Sequence, residues 1–325
     1  MSIDPPDVLP EDLQCFVQQA TGLTGWTVSD TRSGDVNRIY TLTHPRFSKA
    51  LVLRHRTGHA SFRYEQGLAK DAAVQALLAG QWQPGGSQDL PDRQDLTAHH
   101  ALPHNLLWTK GRADALSLQH HIPGPTFVEA GEDAPWDRLG AVMADIHRIT
   151  ISGWHPRLDA SVEADGAGAR DFSQHITTLL QAEQPEAGNW LAADALDQIC
   201  RLDPGQHQVA PSLLHNDIHG GNVIACADHG AVLVDWDNAC IGAPELDWVK
   251  LRFFPLLDGQ GLDHRTTAHD RTLEGYLQAG GGEPDSRRLH LYALLWQMRL
   301  GNFQHSRDGV SGPVRRAVDL LLAEL

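Results

Sequence analysis

A chain of 325 residues, 41 % of them hydrophobic, is long enough for one large or two ordinary domains with real cores. Its charge is lopsided: residues 1–113 carry 11 Lys and Arg against 11 Asp and Glu, whereas residues 114–325 carry 15 against 30 and so hold the whole net charge of −15. That balance argues against nucleic acid as a partner, because phosphate contacts need a basic surface, and it suits a small cationic molecule. No run of about 18 apolar residues predicts a membrane span. The start, MSIDPPDVLPEDLQ, lacks the basic and apolar stretches of a secretory signal, and the four cysteines form no CxxC pair; the expectation is a cytoplasmic protein with reduced thiols.

After this acidic, proline-rich leader the chain reads as short strands. WTVSDTRSGDVNRIYTLTH (26–44) contains the turn signal Ser33-Gly34-Asp35 followed by alternation through Ile39 to Leu42, and KALVLRHR (49–56) is a further strand. FRYEQGLAKDAAVQALLAG (62–80) has helical spacing, residues 81–103 read as a long loop, and NLLWTKGRADALSLQHH (105–121) as a hairpin around Lys110-Gly111. IPGPTF (122–127) breaks regular structure, so a boundary between an N-terminal lobe, residues 1–120, and a C-terminal lobe, residues 121–325, falls at a linker near 119–125. From there helices dominate: WDRLGAVMADIHRI, FSQHITTLL, NWLAADALDQICRL, TLEGYLQAG and RRLHLYALLWQMRLGNFQH. Strands with one helix, a break, then helices around one short polar hairpin predict an α+β protein of two lobes.

The chemistry concentrates in LLHNDIHGGN (213–222). Asp217 and Asn222 stand five residues apart with two glycines between them. Val223–Ala225 and Ala231–Val234 then read as two strands turned at Asp228-His229-Gly230, with Asp235 and Asp237 at the far end. Because a hairpin goes out and returns, Asn222 and Asp235 come back to the same end. Amide and carboxylate oxygens suit Mg²⁺, which keeps waters and binds substrate phosphates. The pattern fits phosphoryl transfer: one aspartate takes the proton of the attacking hydroxyl, and an asparagine and a second aspartate hold the metal. A zinc hydrolase built on His215, Asp217 and His219 would need these alternate residues on a strand, which the glycines oppose; His215 is expected to brace the loop and His219 to pack beside Asp217.

His215-Asn216-Asp217-Ile218-His219-Gly220-Gly221-Asn222 followed by Asp235-Trp236-Asp237 resembles the aminoglycoside phosphotransferase and choline kinase-like family. The resemblance implies a protein kinase-like fold with a small N-terminal antiparallel sheet and a larger, mostly helical C-terminal lobe. It also implies Asp217 as base, Asn222, Asp235 and Asp237 toward Mg²⁺, and Ser33, Gly34 and Asn37 in the nucleotide-covering loop. Arg54 would take the phosphate-contacting position of the third strand, where kinases usually carry lysine, with Glu65, or else Asp71, as its helix partner. QHHIPGPTF, with Gln119 and His121, resembles the adenine-binding linker, LGAVMADIHRI a family helix, and GAPELDWVKL the downstream segment in which Asp247 is structural. The implied activity is transfer of the γ-phosphate of ATP or GTP to a hydroxyl of a small, cationic acceptor, an antibiotic such as an aminoglycoside or a related secondary metabolite. Two alternatives stay open: a kinase of an amino-alcohol or aminosugar, and a nucleotide-binding pseudokinase, which the arginine at position 54 favours.

Overall fold

The computed structural model describes residues 9–33, 37–56, 74, 105–108, 116–149, 154, 171–204, 209–227, 230–259, 261–262, 264–307 and 309–325. Five strands, β1 (Thr27–Ser33), β2 (Asn37–Thr43), β3 (Leu51–Arg56), β4 (Asn105–Trp108) and β5 (Leu116–His120), form one antiparallel sheet in the order β1-β2-β3-β5-β4. Tyr40 and Leu42 on β2, Leu51 and Leu53 on β3 and Leu118 on β5 point to one face and are buried there, the period of two that a half-buried strand dictates. That face is covered by a helix the sequence reading did not expect, α1 (Glu11–Thr21). The acidic, proline-rich leader disguised it, yet Leu13, Phe16, Val17 and Ala20 make a helical stripe that packs on Trp26, Val28 and the sheet. Gly22 closes α1 in the left-handed conformation (φ 70°), returning its N–H to Gln18.

The β4–β5 pairing agrees with the expected hairpin, although its turn at Lys110-Gly111 lies outside the described residues. So do the helix expected over 62–80, apart from Val74, with its candidates Glu65 and Asp71, and the loop over 81–103.

A second, larger core takes in Val74 from the N-terminal part of the chain and then runs from Phe127 onward. Its helices are α2 (Phe127–Ala130), α3 (Trp136–His147), α4 (Phe172–Ala187), α5 (Ala193–Arg201), α6 (Glu245–Leu257), α7 (Thr267–Gln278), α8 (Ser286–His305) and α9 (Gly312–Glu324). α3 and α7 cross at backbone contact because glycines face each other there. A Cβ on Gly275 would lie 1.9 Å from the Asp137 carbonyl oxygen, and one on Gly140 2.0 Å from that of Thr272.

Two short ribbons lie among these helices: β6 (Ser212–Leu214) with β9 (Cys240–Gly242), and β7 (Val223–Cys226) with β8 (Gly230–Leu233). The linker is pinned to the second. The Ala225 N–H donates to the Pro125 carbonyl (2.8 Å), and Thr126 bridges to Ile224. Gly124 (φ 140°) allows this, since a Cβ there would sit 2.1 Å from the Ala225 carbonyl oxygen. Thr126 also opens α2 through a capping box with Glu129. The sheet and the β7–β8 ribbon are thus registered by backbone bonds on either side of residues 121–126. Among the described residues no helix is long and apolar enough to cross a membrane. None of the four cysteines is in a disulfide.

Candidate active site

The 215–222 loop begins where buried Leu213 and Leu214 leave β6. Its shape is set by Asp247, which is 2 % exposed in the first turns of α6. One carboxylate oxygen accepts from the His215 N–H (3.0 Å) and the other from the Asn216 N–H. His147, at the end of α3, holds the same carboxylate at 3.0 Å through Nε2, and its Nδ1 meets the Tyr276 hydroxyl at 3.0 Å. A buried carboxylate needs such partners, and here they are the backbone of the loop itself. With those amides fixed, Asn216 takes a left-handed conformation (φ 60°), which asparagine tolerates, and its side-chain amide donates to the Asn238 carbonyl (3.1 Å).

This turn delivers Asp217 with both carboxylate oxygens engaged: Asn238 Nδ2 donates to Oδ2 at 2.8 Å, and the Lys250 ammonium donates to Oδ1. Burial pushes the Asp217 carboxyl up, but the charge and hydrogen bond of Lys250, with His215 and His219 adding, outweigh it and leave it below the ordinary carboxylate value. Asp217 is therefore a carboxylate at neutral pH. Desolvation pulls His219 down despite Asp217, so its ring is neutral there; its Nδ1 accepts from the Gly221 N–H at 3.1 Å. His215 braces the loop as expected, with Nε2 2.9 Å from the Val234 carbonyl oxygen and its ring against Trp236. Among the described residues no group of three or more His, Cys, Asp or Glu side chains is arranged to hold a metal.

The hairpin closes as its sequence demands. The Val234 N–H donates to the Asn222 carbonyl (3.0 Å), which brings residue 235 back beside residue 222, and the Asn222 amide donates to the Asp217 carbonyl (3.0 Å). Asp235 adopts a left-handed conformation (φ 65°), costly for a non-glycine residue, and turns its carboxylate toward β3. There one terminal nitrogen of Arg54 donates to Asp235 Oδ1 and to Asp237 Oδ2, both at 2.8 Å. Asn37, at the start of β2, reaches the same Asp237 oxygen at 3.4 Å. Burial pushes Asp235 up, although 38 % of its side chain is open to solvent. Arg54 opposes the rise, and the neighbouring carboxylates of Asp237 and Asp217 add to it. The other Asp237 oxygen, Oδ1, is buried without a partner. A crowd of carboxylate oxygens with one unpaired, beside an amide, suits a hard divalent cation that also draws ligands from water and phosphate.

The remaining candidates from the nucleotide-side strands fall into place unequally. Ser33 ends β1 opposite Arg38; Gly34 lies outside the described residues. Gln119 is buried on β5 and donates to Ser117 Oγ (3.0 Å), so its side chain belongs to the sheet. The His121 N–H, just past β5, donates to the Ala50 carbonyl (2.9 Å). For Arg54 the described partners are Asp235 and Asp237. Sequence reasoning missed Asn238 and Lys250 altogether. One signal for Lys250 was in view: it is the only lysine in residues 114–325.

The model of the phosphotransferase enzyme family matches residues 32–292, which contain every one of these side chains. The chain belongs to that family. It is accordingly a small-molecule kinase with a protein kinase-like fold. No curated protein matched it. Solved structures similar in fold include an apo thermostable mutant of aminoglycoside phosphotransferase APH(4)-Ia (16 % identity, 96 % of this chain and 98 % of that one, TM-score 0.60). The macrolide 2'-phosphotransferase MphH from Brachybacterium faecium is comparable (16 %, 96 % and 98 %, 0.57). So is spectinomycin phosphotransferase APH(9)-Ia in complex with ADP and spectinomycin (14 %, 98 % and 95 %, 0.54).

Proposed function

We propose that this phosphotransferase moves the γ-phosphate of ATP or GTP onto a hydroxyl of an antibiotic, an aminoglycoside or a related basic secondary metabolite, in the cytoplasm. The observation that carries this reading is the closure of the β7–β8 hairpin beside Asp217, which gathers Asn222, Asp235 and Asp237 around one carboxylate.

In the mechanism, Asp217 orients the acceptor hydroxyl and takes its proton as the oxygen attacks the γ-phosphorus. Its ionised state at neutral pH supports that role. Asn238 fixes the carboxylate plane, and Asp247 with His147 fixes the loop, so the base does not reorganise during the step. Asn222, Asp235 and Asp237 would hold Mg²⁺, which supplies neutralisation of the triphosphate charge. Arg54, a planar fork held beside that cluster, and Asn37 would face the phosphates from the sheet. The backbone around Gln119 and His121 would take the base of the nucleotide. We assign residues 1–120 to a nucleotide lobe and 121–325 to an acceptor lobe; the two cores support this, with Val74 the described residue that reaches from the first part into the larger core. The acidic excess of residues 114–325 supports a cationic acceptor.

Incubating the enzyme with Mg²⁺, both nucleotides and a pool of hydroxylated antibiotics, aminosugars and amino-alcohols tests the assignment by mass spectrometry. One member gains a single phosphate with wild type and none with Asp217→Ala. No phosphorylated product from any member removes the reading.

A further inference from the structure

Lys250 has no part in the mechanism so far, yet it holds the oxygen of Asp217 that Asn238 leaves. Where it lies relative to the two lobes matters. Asp235 and Asp237 face β2 and β3 through Arg54 and Asn37, so the phosphates approach from that direction. Lys250 reaches Asp217 from α6. Asp247, Lys250 and Phe254 follow at helical spacing along one face of this helix. The Lys250 ammonium stands 5.8 Å from the Phe254 ring centroid. Phe254, 38 % exposed, is among the described residues one of few large apolar side chains left open to solvent, and it meets Trp296 of α8 edge-on at 5.3 Å and His219 at 6.1 Å. Beside Asp217, α6 and α8 thus set a cation and an open aromatic corner.

The carboxylates of the two helices that form this wall are buried and already face cations or loop backbone. Glu245 is bound to Arg288, and Asp247 to His147 and the loop backbone. α8 contains no Asp or Glu in its 20 residues. An ammonium on the carbon next to the reacting hydroxyl would compete with Lys250 for Asp217 and find no other anion on α6 or α8. Since arginine outnumbers lysine 22 to 4 in this chain, a lysine at the base is also against the grain of its composition. From this wall we infer that Lys250 is a specificity-determining residue: it selects an acceptor hydroxyl flanked by uncharged atoms and backed by an apolar ring face, with any amine of the acceptor held farther away.

This rests on the kinase reading and narrows it, setting simple 1,2-amino-alcohols aside. The test uses two minimal probe pairs that differ only in charge beside the hydroxyl, trans-2-aminocyclohexanol against its N-acetyl derivative and glucosamine against N-acetylglucosamine. Wild-type enzyme is expected to favour the uncharged member by about tenfold or more in kcat/KM, and Lys250→Gln to shrink that preference to about threefold or less. Lys250→Met serves as the second variant if the first melts early. Phe254→Ala should raise KM for both members of the cyclohexyl pair alike. Equal use of both members by wild type, or an unchanged preference in both Lys250 variants, overturns the inference. Formation of ADP or GDP without acceptor, lost in Asp217→Asn, reports the kinase reading separately. If it persists while no preference is seen, only the inference about Lys250 falls. If neither nucleotide turnover nor any phosphorylated probe is detected, the kinase reading fails and takes the inference with it.

Discussion

The 215–222 loop and the α6–α8 wall meet at the same carboxylate and are built by opposite means. The loop is backbone geometry: two consecutive N–H groups docked on buried Asp247, a left-handed Asn216, and a hairpin that returns residue 234 to residue 222. The wall is side chains: Lys250, Phe254 and Trp296 projecting from two helices. Backbone devices tolerate almost no substitution, because each residue holds a conformation as well as a contact. Side-chain devices can change one residue at a time without disturbing the fold. Chemistry that must be constant belongs on the first and selectivity that must vary on the second.

Asp217 is the sharpest place to break this comparison. Asp217→Asn keeps the shape and removes the base, so turnover should fall by roughly a hundred- to ten-thousand-fold, with the melting temperature close to wild type. A rate within a few-fold of wild type would take Asp217 out of the chemistry. Next comes the post beneath the loop. Asp247→Ala strips two backbone N–H groups and His147 of their partner, and chemical denaturation should record a loss of about 3 kcal/mol or more, together with lost activity. A stable Asp247→Ala enzyme of normal rate would mean that the loop holds its own shape. The close crossing of α3 on α7 gives a purely structural counterpart: Gly275→Ala drives a methyl into the Asp137 backbone and should cost about 1–3 kcal/mol, visible as a lower melting temperature. Smallest is the cap of α2. Thr126→Ala loses the bond to the Glu129 N–H and should cost about 1 kcal/mol, leaving turnover near wild type. A large activity loss there would show that the linker, too, is part of the machinery.

Much of the site could be read in advance, for a specific reason. Asp217, Asn222 and Asp235 lie within one loop and one tight hairpin, where spacing along the chain nearly dictates spacing in space. Other parts were illegible. α1 hid behind prolines and acids because its stripe of Leu13, Phe16 and Val17 is short. Asn238 looked like any loop asparagine until the 236–238 turn aimed it at Asp217. The expected link from Arg54 to the helix over 62–80 concerns residues outside those described; the contacts of Arg54 with carboxylates 181 and 183 residues away could not be read from the sequence.

The sequence by itself determined the polar loop, the returning hairpin and the division into a strand-rich and a helix-rich part, since each follows from local pattern: alternation, helical period and glycine turns. Only the tertiary structure decided that Arg54 faces Asp235 and Asp237, and that Lys250 rests on Asp217. Those pairings depend on how whole elements are rotated against each other. That rotation is set by burial of the two cores and by Asp247 docking α6 under the loop, a sum over many distant contacts that no short window of residues contains.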